Sequence, residues 1–143
     1  MAKTHTVTFR FKVKAGDFLN AGRVSSEIKK YLMQLGLNHG LIRTIIICAY
    51  EAEMNLVIHS VGGEIQLDIT DSMIHLFSKD EGPGIRDIEL AMKEGFSTAS
   101  EKAREMGFGA GMGLPNMKKH ANSFVIKSSK DGTLIHMTYL IKS

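Results

Sequence analysis

The sequence predicts an α+β two-layer sandwich, a mixed and mainly antiparallel sheet with helices on one face. Three observations predict it. Apolar and polar residues alternate with period two near both ends of the chain and again in its middle. Two stretches in the first half show instead the apolar pattern of helices, one a stripe at three- and four-residue spacing and one apolar almost all round. Short turns join the paired strands. Such pairs are antiparallel, which argues against a doubly wound parallel sheet.

Each element has its own signal. Val7, Phe9, Phe11 and Val13 alternate with Thr6, Thr8, Arg10 and Lys12, a strand with one wet face. Asp17 is placed to cap a first helix. The stripe of that helix runs through Ala21, Val24, Ile28, Tyr31 and Leu35, and Gly36 suits its C-terminal end. A second helix spans about Gly40 to Val61. Leu41, Ile42, Ile45, Ile46, Ile47 and Ala49 make its middle apolar almost all round, the pattern of a deeply buried helix. β-branching at Ile45 to Ile47 favours a strand. The longer pattern through Ala49, Met54, Leu56 and Val57 decides for helix, and Gly62-Gly63 stops it. Glu64 to Thr70 and Ser72 to Ser78 are strands, with Asp71 in the turn between them. Asp87 to Glu94 reads as a short helix, and residues 95 to 113 are glycine-rich. A helix starts at Leu114-Pro115, since proline is tolerated in a first turn, and ends near Ala121 or Asn122. Ser123 to Ser128 and Thr133 to Ile141 close the chain as a hairpin around Lys130-Asp131-Gly132.

Composition narrows the function classes. A chain of 143 residues is read as one domain, 1–143. Hydrophobic residues at 43% and charged residues at 23% describe an ordinary globular chain and exclude a disordered one. The net charge of +3 is small. Its densest basic spots, Lys29-Lys30 and Lys118-Lys119-His120, read as solvated helix faces, so no nucleic-acid partner is expected. No apolar run is long enough to span a membrane, and the first residues lack the apolar core of a signal peptide. The single Cys48 forms no internal disulfide and no thiolate metal cluster. A cytoplasmic location is expected.

Three segments carry chemistry. Glu51, Asn55 and His59 stand at i, i+4 and i+8, one stripe of the second helix. A carboxylate and an amide side by side are oxygen ligands suited to a hard cation such as Mg²⁺. Alone, the triplet also fits an exposed polar face. Asp80-Glu81-Gly82-Pro83-Gly84-Ile85 sets an acid at a strand end before glycines that let a flat or anionic ligand approach. Alone, it also fits a strand-ending turn. Gly107-Phe108-Gly109-Ala110-Gly111-Met112-Gly113-Leu114 removes side chains at every second position ahead of a helix start, a shape that aims amides at phosphate oxygens. It is neither a Walker loop nor a Rossmann fingerprint.

In this order the three segments resemble the Bergerat-fold ATPases, the family of gyrase B, Hsp90, histidine kinases and MutL. Glu51 to Asn55 matches the N-box. Asp80-x-Gly82-x-Gly84 matches the first glycine box, and Gly109-x-Gly111-x-Gly113-Leu114 the second. Among its branches the chain looks most like the small stand-alone anti-sigma factors and switch kinases of the stressosome type. The phrases that carry this are Asp80-Glu81-Gly82-Pro83-Gly84-Ile85, Gly95-Phe96-Ser97-Thr98 and Gly111-Met112-Gly113-Leu114-Pro115-Asn116-Met117-Lys118-Lys119. The resemblance covers nearly the whole chain. It implies the Bergerat fold, ATP and Mg²⁺. Glu51 would be the general base and Asn55 the Mg²⁺ ligand. Asp80 would accept from the adenine amino group, with Gly82, Gly84 and Ile85 shaping that end. Gly109, Gly111, Met112, Gly113 and Leu114 would carry the phosphates. Thr133 resembles the strand threonine near adenine. Lys118 or Lys119 stands where the family places a phosphate-reaching base, and His59 where small members have a histidine. The chain departs from the family at Ala99 to Met106, a longer link ahead of the second box that leaves the physiological substrate open.

The resemblance implies an ATP-dependent serine/threonine protein kinase acting on an STAS-domain partner. The alternative is an anti-sigma factor that sequesters a sigma factor in a nucleotide-dependent way. A downstream phosphatase and a homodimer stay open as further partners, and no membrane partner is expected. A detached histidine-kinase domain is disfavoured, because no dimerisation helices or phospho-acceptor segment precede it. Topoisomerase or mismatch-repair activity needs transducer domains that this length cannot hold.

Overall fold

The computed structural model describes residues 6–59, 62–82, 92 and 113–141. The helix expected over 87–94, apart from Met92, and most of the glycine-rich segment lie outside the described residues. The elements run β1 (Val7–Val13), α1 (Arg23–Gln34), α2 (His39–His59), β2 (Gly63–Ile69), β3 (Met73–Asp80), α3 (Gly113–His120), β4 (Ser123–Ser129) and β5 (Gly132–Leu140). The five strands form one sheet in the order β1-β2-β3-β5-β4. All four pairings are antiparallel.

Register places one residue of each strand in a row, Phe9, Leu67, Leu76, Met137 and Phe124. Leu67, Leu76 and Met137 are fully buried, so this row faces the helices. α2 lies over β1, β2 and β3 and carries Ile45, Cys48, Ala49 and Ala52 into the core with no exposure. Burying a side chain the size of Ile45 stabilises the fold by about 1.5–3 kcal/mol. α1 and α3 pack on α2. Among the described residues no helix is long and apolar enough to cross a membrane.

The opposite sheet face has no helix among the described elements. At its centre His136 stacks on Phe77 with centroids 4.2 Å apart, and its Nε2 lies 2.9 Å from His75 Nδ1. A contact that short between two ring nitrogens needs a proton between them. Burial first, then the neighbouring His75, lower the His136 imidazole below its ordinary value, while Asp68 acts the other way.

Two boundaries differ from the sequence reading by two residues or more. α1 starts at Arg23, well after Asp17, whose carboxylate instead accepts from Asn20 Nδ2 at 3.0 Å. The stripe also shifts: Leu32 is fully buried, whereas Leu35 is 53% exposed just beyond the helix. Gly36 does end α1 in the left-handed region, at φ 70°. β3 runs two residues past Ser78 to Asp80, because Lys79 and Asp80 pair with Glu64 and Gly63. α2 is described as far as His59, and the expected end at Val61 lies outside the described residues.

Candidate active site

α2 begins where Asn38 accepts from the backbone amides of Gly40 and Leu41, at 2.8 and 3.3 Å, an N-cap supplied by the loop. Twelve residues beyond its first, the helix presents Glu51. The Glu51 and Asn55 side chains are half-buried and one turn apart. Burial pushes the Glu51 carboxyl above its ordinary value, and a side-chain hydrogen bond from Asn116 on α3 pulls it part of the way back. His59 is the last residue of α2.

Two residues from Glu51, roughly 200° around the helix, Glu53 has a different setting. It is 2% exposed. Its Oε2 accepts from the amides of Gly22 and Val24 at 3.1 and 3.2 Å, and its Oε1 from Ser25 at 3.2 Å. These are donors that the start of α1 leaves without intrahelical partners. Gly22, the capping residue, has no side chain to take them. Glu53 therefore caps α1 from about thirty residues away in sequence. The carboxylate so bound has no oxygen directed to a ligand, and its part is structural.

Asp80 closes β3. Its Oδ1 accepts from the amide of Thr133 at 2.8 Å and from that of Gly82 at 3.1 Å. Two donors on one oxygen fix the carboxylate and leave Oδ2 available as an acceptor. The fit against the β4–β5 turn is tight: a Cβ on Gly132 would run into the Asp80 backbone carbonyl, and φ there is 144°. The side chain of Thr133 is buried, its Oγ1 lying 2.9 Å from Ser128 Oγ. Asp80 also stands beside the end of α2, because Leu56, next to Asn55, and the Asp80 backbone both crowd Gly63.

α3 brings the remaining described residues. Gly113 is its first residue; Leu114 and Met117 are buried against α2, and Cys48 Sγ lies 4.0 Å from the Met117 carbonyl oxygen. The thiol of Cys48 is fully buried, and that burial raises it above its ordinary value. Lys118 and Lys119 are exposed in the last turn of α3, where positive charge complements the helix dipole whatever else it does. Gly84, Ile85, Gly109, Gly111 and Met112 lie outside the described residues.

Of the sequence-read residues, the structure joins Asp80, Gly82 and Thr133 directly, and sets Glu51 and Asn55 along α2 toward the same end. Reading the sequence for chemistry assigned no role to Asn116 or Glu53. Asn116 had one signal, its place three residues after the last glycine of the second box. Glu53 had none, since its partners are distant in sequence.

The donor chemistry fits a Mg²⁺-nucleotide. Glu51 and Asn55 offer half-buried oxygens for a hard cation, and Asp80 keeps one oxygen for an amine.

Comparison with known proteins points the same way. An anti-sigma F factor from Bacillus licheniformis is 36% identical over 110 residues, covering 71% of this chain and 70% of that protein. Another, from Geobacillus sp. (strain WCH70), is 33% identical over 110 residues with the same coverage of each chain. The RsbU and RsbW domains of a Mycobacterium tuberculosis protein superpose with a TM-score of 0.65 at 18% identity, over 96% of this chain and 33% of that one. The SiaB–SiaC complex from Pseudomonas aeruginosa gives 0.52 at 11% identity, over 93% of this chain and 89% of its counterpart. At these identities the two structures speak for the fold, an antiparallel sheet flanked by helices of the Bergerat type. No protein-family model matches the chain.

Proposed function

Because the chain belongs to the anti-sigma F factor family, we propose that it is an ATP-dependent serine/threonine protein kinase that phosphorylates an STAS-domain regulatory partner. The observation that carries the reading is Glu51: a carboxyl half-buried on a core helix, raised by that burial, one turn from an amide, in a chain of this family. A base tuned upward in this way takes a hydroxyl proton more readily than an exposed carboxylate does.

ATP with Mg²⁺ supplies the phosphoryl group and offsets its charge. The protein's own residues do the rest. Asp80 Oδ2 accepts from the exocyclic amine of adenine, while its Oδ1 stays on the Gly82 and Thr133 amides. Asn55 Oδ1 would hold the cation. Glu51 would take the proton of the partner's serine or threonine hydroxyl as that oxygen bonds to the γ-phosphorus of ATP and the bond to the departing ADP breaks. Gly113 opens α3 at the helix end where backbone amides point outward, the end that favours phosphate. Gly84, Ile85, Gly109, Gly111, Met112 and Leu114 complete the nucleotide site in this reading, with Lys118 within the last turn of α3.

A protein partner needs a surface. A depression of about 500 Å³ between α1 and α2 is lined by Met33, Leu37, Asn38, His39 and Ile42 among others, and Leu35 beside it is 53% exposed. It flanks the start of the helix that carries Glu51, so we place partner docking there. The test is transfer of label from ATP to a purified STAS-domain protein. Absence of transfer, with stable binding to a sigma factor, would establish the second reading. The relatives' name favours that second reading, an anti-sigma factor that holds a sigma factor.

A further inference from the structure

The groove between α1 and α2 is bordered by charge of one sign. From Ile28 to Tyr50 the sequence carries no acidic residue, although the whole chain is nearly balanced at 18 basic and 15 acidic. That stretch supplies both walls of the groove. Met33 on α1 lines one, and His39 and Ile42 at the start of α2 line the other. Lys29 and Lys30 stand one turn back from Met33, at four- and three-residue spacing, and Arg43 stands one turn on from His39. All three cations are exposed. Among the described residues, carboxylates pair with Arg10 and Arg23, through Glu64 and Glu27, and with none of these three. Met33 is 51% exposed and Leu35 53%, whereas Ile42 is buried. Apolar surface thus descends into a hollow whose rim is cationic and uncompensated.

Resting on the kinase reading, we propose that this groove takes an acidic segment of the STAS-domain substrate. An apolar side chain of that segment seats between Met33 and Ile42, and the carboxylates beside it face Lys29, Lys30 and Arg43. The apolar anchor supplies most of the hold, while the charges steer the encounter and fix its register. A protruding side chain reaches Ile42, which a flat lipid surface does not. Arg43 precedes Glu51 by eight residues, about 12 Å along α2 at 1.5 Å per residue. The segment that docks and the hydroxyl that is phosphorylated are therefore separate points on the partner. Recognition is read at one end of α2 and chemistry is carried out further along it.

The test measures affinity for a purified STAS-domain protein by calorimetry, with ADP and Mg²⁺ present. Lys30→Glu combined with Arg43→Glu reverses one charge on each wall, and binding should weaken about tenfold or more. Lys127→Glu makes the same change at an exposed lysine on β4, at the far edge of the sheet from β1, whose Phe9 stacks on Tyr31 of α1. It should weaken binding less than about twofold. Raising the ionic strength from about 0.05 M to about 0.5 M should weaken the wild type more than the double variant, since screening acts on the charges that attract. Met33→Ser should weaken binding and keep the wild-type salt dependence. These side chains are exposed, so the fold should tolerate the changes, and circular dichroism checks it. Should the double variant fail to fold, Lys30→Gln with Arg43→Gln removes the same charges and the same direction is expected.

Equal affinity in the double variant and the wild type overturns the proposal. An equal loss in Lys127→Glu also overturns it, since the effect would then be one of net charge. Failure of the kinase reading looks different. Binding with the expected pattern but no transfer of label from ATP removes the kinase and leaves the groove as the docking site. Transfer with an unmoved KM for the protein substrate in the double variant keeps the kinase and overturns the groove. Neither binding nor transfer overturns both. Binding of the wild type to phosphatidylserine vesicles, lost in the double variant and with no STAS protein bound, would give the surface to a membrane and overturn the proposal.

Discussion

Glu51 and Glu53 are the same residue on the same helix, two positions apart, and they do opposite work. Glu53 faces α1, is 2% exposed, and spends both oxygens on three backbone amides. Glu51 faces α3, is half-buried, and has the Asn116 amide as its hydrogen-bonding side chain. What separates a structural carboxylate from a reactive one here is how many donors saturate it, more than how deeply it is buried. A saturated carboxylate fixes a helix start. An under-saturated one keeps lone pairs for a proton and carries a burial cost only partly relieved.

The sharpest way to break this comparison is Glu51→Gln. Phosphoryl transfer should fall by about a thousandfold or more, as expected when a general base is lost, with the fold intact. Single-turnover transfer from labelled ATP measures it. Transfer at a wild-type rate would remove Glu51 from the chemistry and leave the two glutamates alike. Next in size is Glu53→Ala, which strands the Gly22, Val24 and Ser25 amides at the start of α1. The expected loss is about 3 kcal/mol of unfolding free energy, from a lost cap and buried donors left unpaired. Urea denaturation reads it. A loss below about 1 kcal/mol would mean water satisfies those amides and the contrast is overdrawn.

A smaller effect sharpens the Glu51 side. Its folded carboxyl lies above the ordinary 4.5. A raised carboxyl contributes stability that is fully present below that ordinary value and lost as pH rises through the folded value. Glu51→Gln should therefore unfold at a higher temperature than wild type at pH 7, with the two converging as pH falls toward about 4.5. Calorimetry over that range tests it, and a parallel offset at every pH would contradict the sign. The smallest effect belongs to the open sheet face. There the folded His136 lies below its ordinary 6.5, so the stability it contributes is present above that value and lost as pH falls through the folded one. His136→Phe should flatten the pH dependence of stability between about pH 7 and pH 5. An unchanged slope would show that the ring pair does not couple to folding.

Much of the sheet was legible in the sequence. β1, β2 and most of β5 bury one face more deeply than the other, and the alternation Phe9-Phe11-Val13 records that in β1, although Val7 at the strand start is exposed. α2 was legible because a helix buried nearly all round must be apolar nearly all round. The start of α1 was not. Asp17 offered a local cap, and the chain uses a distant one on Glu53, which no window of local sequence reveals. The last residues of β3 were missed for a related reason. Lys79 and Asp80 carry no alternation signal, and their place is set by backbone pairing to β2. In the site, Asp80 was found through its glycines, whereas the grip of Thr133 and Gly82 on one of its oxygens is a product of the fold. Asn116 stayed unread because an asparagine on a short helix has many ordinary uses, and only the packing of α3 on α2 selects this one.

The seclusion of Cys48 has a practical consequence. It is the chain's one cysteine, fully buried beneath α3, and its thiol is held in the unreactive protonated form. A maleimide dye should therefore pass it by and react with a cysteine introduced on the surface, with no background substitution needed. Exposed positions such as Lys119 on α3 and Lys30 on α1 offer attachment points on the two helices that pack on α2. A dye pair there would report in real time, molecule by molecule, whether the two outer helices separate when a nucleotide arrives.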